Sequence, residues 1–156
     1  MPDPVRYMQR TREYYFAQGF DKAYKWAQHD DIPWQPLQKP LSQSTVAFIT
    51  TAVPDGTIAK LSRSATSLSI GELPIEFRTD ELSWDKEATH MDDVNSFIPM
   101  QAMRTLAEEG IIGQLAPRFH FVPTDYSQRN TNEIDAPKIL EACLQDEVDV
   151  AILVPL

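Results

Sequence analysis

Two nearly continuous runs of apolar and β-branched residues, 45–52 (TVAFITTA) and 148–154 (VDVAILV), dominate the hydrophobic pattern of this chain. A strand with one wet face alternates, whereas an unbroken run suits a strand covered on both faces of a parallel sheet. Residues 119–122 (FHFV) read as a shorter strand, and residues 73–79 as another, which Pro74 keeps at an edge or at its own start. Helical spacing joins Met100, Met103, Leu106 and Ala107 on one face, and Ile139, Leu140, Cys143 and Leu144 on another. The first of these helices is bounded on both sides. Pro99 fits its opening turn, and Gly110 supplies the left-handed residue after which Ile111 folds back on Leu106. Asp135-Ala136-Pro137 looks like the start of the second, after a polar loop at 124–132.

The N-terminal third is patterned differently. Asp3-Pro4 opens a helix that runs to Gln18 and stops at Gly19, with Val5, Met8, Tyr15 and Phe16 on its buried side. Asp21 caps a second short helix carrying Tyr24 and Trp26, and aromatics at such spacing are packing residues before they are ligand clamps. Pro33, Pro36 and Pro40 make residues 30–42 an extended crossing segment, pinned by Trp34 and Leu37. Pro54-Asp55-Gly56 turns the chain after the first long strand, and residues 57–89 show no clear period.

Together these elements predict an α/β fold: three layers around a Rossmann-like, mostly parallel sheet, in a single domain over residues 1–156. Residues 1–42 form a helical and Pro-rich lead-in packed on it. The last strand, buried on both faces, has no cover helix after it, so the sheet is expected to be incomplete as given and its edge hidden by a homodimer or a partner chain.

Composition narrows the function. Apolar residues are 42% and charged residues 24% of the chain, which is ordinary for a globular protein. A net charge of −9, with 14 Lys and Arg against 23 Asp and Glu, argues against nucleic-acid and membrane surfaces. No apolar run nears the roughly 20 residues of a membrane span, which leads to an expectation of a cytoplasmic protein. Cys143 is the single cysteine. It excludes an internal disulfide and, among apolar neighbours, reads as a small buried hydrophobe rather than a reactive thiol.

The candidate chemistry lies at the C-terminal end of the first long strand and before the bounded helix. Ligands in open α/β sheets bind beyond the carboxyl ends of the strands, which makes Thr50 and Thr51 site candidates, although their hydroxyls can equally bond the local backbone. His90, Asp92, Asp93 and Asn95 form a polar cluster in which His90 is a possible acid or base held by the adjacent carboxylates. A loop capping the next helix explains the same residues. With His120 or Asp125 they offer metal-ligand types, but their spacing matches no metal motif. Gly-rich nucleotide loops and the Gly-x-Ser-x-Gly elbow are absent.

Several pieces, in order, resemble the selenoprotein B family of the glycine, sarcosine, betaine and D-proline reductases. They are Lys39-Pro40-Leu41-Ser42 leading into Val46-Ala47-Phe48-Ile49-Thr50-Thr51; Glu76-Phe77-Arg78; His90 with Asp92, Asp93 and Asn95; Phe97-Ile98-Pro99; Gly110-Ile111-Ile112-Gly113 with Leu115-Ala116-Pro117; and the terminal strand into Val154-Pro155. The resemblance implies an oxidoreductase subunit that cleaves the C–N or a related bond of a small amino-acid-like substrate with a selenol or thiol. No cofactor and no metal are expected, and the resemblance adds Arg78 to Thr50, Thr51, Asp92, Asp93 and Asn95 as substrate-binding candidates. Expected partners are the substrate and other reductase subunits or further copies of the chain. The family's selenocysteine or cysteine is expected just after Leu156, so no catalytic nucleophile lies in this chain and the family reaction is not expected of it as given. Either a UGA codon read as a stop or a natural half-length relative accounts for that ending. The alternative function is a non-enzymatic small-molecule-binding or assembly module.

Overall fold

The computed structural model describes residues 6–23, 25, 27–54, 64–72, 77–78, 93–96, 98–123 and 127–154, with the backbone alone at 53–54, 72 and 77–78. Two compact units, Met1–Trp34 and Gln35–Leu156, are distinguished.

In the first unit, helix α1 spans Tyr7–Ala17. Gly19, at φ +88°, ends it. The Gly19 N–H donates to the Phe16 carbonyl at 3.0 Å and the Phe20 N–H to the Tyr15 carbonyl at 3.1 Å, the paired bonds of a Schellman ending. The Tyr15 and Phe20 rings meet edge to face, 5.7 Å between centroids. α1 buries none of its residues, so the buried side predicted for Met8, Tyr15 and Phe16 is corrected; Val5 lies outside the described residues. Three consecutive aromatics, Tyr14, Tyr15 and Phe16, fan around the helix at about 100° per residue and so form no stripe. The short helix predicted after Asp21 does not form in the described residues 21–23, 25 and 27–29, while Tyr24 and Trp26 lie outside them. Leu37 is 48% exposed and so is not the anchor expected of it; Trp34, in the first unit, is 85% exposed.

The second unit carries seven described strands: β1 Thr45–Thr50, β2 Val53–Pro54, β3 Thr66–Ser69, β4 Phe77–Arg78, β5 Gln114–Leu115, β6 Arg118–Phe121 and β7 Val150–Val154. Its principal helices are α2, Met100–Glu108, and α3, Ala136–Gln145. β1 is central. It pairs in parallel with β5 and then β6 along one edge, and with β7 along the other from Val46↔Val150 to Thr50↔Val154. β3 adds antiparallel to β6, and β2 pairs separately with β4. The result is an open, mostly parallel five-stranded sheet with a helix layer on each face, the three-layer α/β architecture.

Strand alternation sorts the side chains into those two layers. Val46, Phe48 and Phe119 meet Ile98, Met100 and Met103 of the α2 layer. Ile49, one residue out of phase, packs with Ile139 and Cys143 of α3. The continuous run in β1 is thus explained, because both faces are covered. β7 differs: Val150, Ile152 and Val154 pack toward α2, but Ala151 and Leu153 on the other face are exposed. The expectation that this strand is buried on both faces is corrected, since α3 lies nearer β3 and, among the described residues, none covers the second face of β7.

Local signals fix the ends of α2. The Gly110 N–H reaches the Ala107 carbonyl at 3.1 Å and the Ile111 N–H the Leu106 carbonyl at 2.9 Å, with Gly110 at φ +70°, the ending its sequence predicts. Gly113 then passes against the lead into β1, donating its N–H to the Leu41 carbonyl at 3.0 Å. Before α3 the chain is already helical from Gln128, through a π segment at Thr131–Asp135, where a loop was expected to Asn132. Ser127 caps this start, its Oγ accepting from the Asn130 N–H at 3.2 Å. Asp135 therefore caps nothing. Its carboxylate, 2% exposed, accepts the Ala65 N–H at 2.7 Å and ties the helix to the start of β3. Asp149 does similar work for β7, accepting the Thr45 N–H and the Lys39 ammonium, each at 2.7 Å. The Lys39 bond, then that of Thr45, holds the Asp149 carboxyl below its ordinary pKa. Among the described residues no helix is long and apolar enough to cross a membrane.

Candidate functional site

Parallel strands all deliver their carboxyl ends to one edge of a sheet, and here that edge is formed by Thr50, Phe121 and Val154. α2 runs against the strands. Its C-terminal turn feeds β5 beside Thr45, and Ile98 and Met100 at its other end cluster with Ala52, just beyond β1. The described residues just before α2, 93–96 and 98–99, are therefore carried toward the carboxyl edge. The β2–β4 ladder brings the Arg78 backbone opposite Val53, three residues past Thr50.

Five of the candidates read from the sequence can be located on this frame. The Thr50 hydroxyl is buried and accepts the Ala52 N–H at 3.1 Å, the local backbone role that competed with a binding role. Thr51, next along, is half-buried. Asp93 and Asn95 are exposed, and Asp93 Oδ1 accepts the Asn95 N–H at 3.0 Å while its carbonyl accepts the Ser96 hydroxyl at 2.7 Å. Those bonds close a single 3₁₀ turn at Val94–Ser96, leaving the second carboxylate oxygen and the Asn95 amide directed by an ordered turn rather than a loose loop. Thr50, Thr51, Arg78, Asp93 and Asn95 thus gather toward one edge through the backbone. His90 and Asp92 lie outside the described residues, as does Asp125.

A second polar constellation, on the opposite side of the sheet from α2, was not singled out by the sequence. His120 is fully buried on β6, with Nδ1 2.9 Å from Ser67 Oγ on β3 and Nε2 3.4 Å from Cys143 Sγ on α3. Either neutral tautomer satisfies both contacts. With Nδ1 protonated, the ring donates to Ser67 and accepts from the thiol; with Nε2 protonated, the directions reverse. Burial lowers the His120 pKa, and the neighbouring Arg118 charge lowers it further against the opposing pull of Asp146. Burial likewise raises the Cys143 thiol, with Asp146 adding to the shift and Arg118 offsetting it. Arg118 is itself held by Asp146 through two bonds, at 2.7 and 2.8 Å, which raises its pKa, and it donates to the Ala142 carbonyl at 3.0 Å. The group is therefore a neutral imidazole–thiol pair beside a closed ion pair, and not a thiolate–imidazolium nucleophile. Its sequence signal was the two-residue step Arg118, His120 on a strand facing Cys143, Asp146 at a helical step.

The sign of the His120 shift sets a pH dependence. A histidine whose folded pKa is depressed binds its proton more readily when unfolded, so its contribution is complete above the unfolded value of about 6.5 and is lost as pH falls below it. Urea unfolding of the chain is expected to show stability falling between about pH 7 and pH 5. His120→Gln, which keeps an amide donor and acceptor but cannot charge, should flatten that slope; an unchanged slope in the variant would locate the proton elsewhere.

The chain is 29% identical, over 126 aligned residues, to a protein of Acetoanaerobium sticklandii named D-proline reductase subunit gamma. The match covers 77% of this chain but 52% of that protein, so the chain spans about half the length of the curated relative it matches. No protein-family model matches the chain, and no solved structure does. The chain is thus similar, at a distance, to a protein named as a reductase subunit.

Proposed function

We propose that this chain serves as a subunit of a reductase acting on a small amino-acid-like substrate. Its carboxyl strand edge receives the substrate through Thr51, Arg78, Asp93 and Asn95, together with His90 and Asp92. The reactive selenol or thiol comes from outside these residues. The observation that supports this most is the likeness to a D-proline reductase subunit, which runs over 77% of the chain. Reductive cleavage of a C–N bond takes up two electrons and two protons, and a selenol or low-pKa thiol is the group that passes them on. Cys143 is unsuited to that role, being the single cysteine, buried, and held neutral beside His120.

D-Proline serves as the first probe. The isotope-labelled chain titrated with it is expected to show amide shifts at Thr51, Asp93 and Asn95, with no D-proline consumed in the presence of a dithiol. Consumption should begin only when a selenol- or thiol-bearing partner subunit is added. Turnover by the chain alone that Cys143→Ser abolishes would overturn the assignment of the nucleophile. Absence of shifts at the strand edge with D-proline and related cyclic or N-methylated amino acids would favour the second reading, an assembly module. That reading draws on the outward apolar side of α3, where Leu140 and Leu144 are exposed.

A further inference from the structure

α3 is apolar on two sides. Ile139, Ala142 and Cys143 are buried against the sheet, while Leu140 and Leu144 stand 58% and 68% exposed. A helix carrying apolar residues on both sides is ordinarily enclosed between two layers. On one flank, Lys138 and the preceding Asp135 reach Ser64 and Ala65 at the start of β3. At about 100° per residue, Leu140 lies on the other flank, away from β3, and Leu144 between that flank and the outer face.

Among the described residues of the second unit, none covers the sheet beneath that flank. Leu153 is paired with Ile49, which packs with α3, so Leu153 and Ala151 share the α3 side of the sheet. Leu153 is 68% exposed there. Ile49, Ala151 and Leu153 make an apolar floor, and Leu140 and Leu144 an apolar wall. Parallel sheets are covered by helices lying side by side at about 8–10 Å, and one helix beside α3 fits this floor and wall. The apolar surface continues over the outer face of α3, where Pro137, Leu140 and Leu144 adjoin Glu141 and Gln145. Charge selects the occupant. Glu141 stands beside Leu140 and Leu144, and Glu147 is exposed between α3 and β7, so the margins of this surface carry negative charge that a basic partner complements and that a second copy, bringing the same glutamates, does not.

We propose that the seat between α3 and β7 binds an amphipathic helix of a partner protein, one with an apolar face and Lys or Arg along its margins. This surface is distinct from the strand edge and stands whether or not that edge takes a substrate. The probe is a synthetic helical peptide with leucines at i, i+3, i+4 and i+7 and lysines on both margins, compared with a twin bearing glutamates there. Titrated into the labelled full chain, the lysine peptide is expected to shift the amides of Leu140, Leu144, Ala151 and Leu153. It should bind at least about tenfold more tightly than its twin at low salt, and Leu153→Glu or Leu144→Glu should weaken it by about tenfold with the thermal transition unmoved. Equal binding of the two peptides, shifts centred away from α3 and β7, or indifference to both substitutions would overturn the proposal. Sedimentation showing a dimer that Leu153→Glu dissolves would give the seat to a second copy and overturn it equally.

Discussion

Alanine at position 113 is expected to lower the stability of the chain by about 3 kcal/mol and its melting temperature by roughly 6–12 °C. A Cβ at Gly113 would lie 2.6 Å from the Gln43 carbonyl carbon and 2.8 Å from both the nitrogen and the oxygen of Ser44. All three are backbone atoms of the turn that leads into the central strand. They cannot rotate away as a side chain can, and moving them would disturb the bonds from the Gly113 and Gln114 N–H groups to the Ser44 carbonyl, at 3.1 and 3.2 Å. Gly71→Ala is the matched control, because its added carbon would meet nothing nearer than Ser69 Oγ at 3.5 Å. Thermal and urea unfolding of the two variants should separate them by most of the predicted 3 kcal/mol or so. A Gly113→Ala protein as stable as the control would mean that the two segments are not so close.

Asp135→Ala is expected to cost about 2 kcal/mol, since it leaves the buried Ala65 N–H without an acceptor. Asp135→Asn keeps an oxygen in place and should recover most of the loss. The comparison matters because the carboxylate joins a helix to a strand 70 residues away, and neither can be assigned to local capping. Urea midpoints for the two variants, with amide exchange at Ala65, decide it. Equal losses in Ala and Asn would show that charge rather than the hydrogen bond holds the junction.

Those two positions mark where sequence reading stops. Gly110 was legible because its reason is local: a helix ends, and only a left-handed residue lets the next N–H groups reach back. Gly113, three residues on, was visible as a glycine, but its reason is a strand some 70 residues earlier, paired to it at Thr45↔Gln114. β1 was read correctly from its unbroken apolar run, which reports burial on both faces. β7 carries the same kind of run, yet one face is open, since composition records what a strand can bury and not what is there to cover it. The helix before α3 was missed because Gln128 to Asn132 is polar, and it is held by the Ser127 cap and an i, i+4 pair between Arg129 and Glu133 rather than by apolar spacing. Within the candidate site, the strand-edge threonines followed from chain direction alone. The Ser67–His120–Cys143 contacts did not, because they join three elements distant in sequence.

The pairing of β1 also governs how the chain is made. Its neighbours are β5, β6 and β7, so this apolar strand leaves the ribosome more than 60 residues ahead of its first partner and about 100 ahead of its last. At about 5–20 residues per second, Val46, Phe48 and Ile49 spend several seconds or more as an unpaired hydrophobic segment on a nascent chain. Exposed apolar segments of this kind are prone to aggregate and are what chaperones shield. Yield during expression should therefore depend on translation speed and chaperone supply more than on the equilibrium stability of the finished sheet.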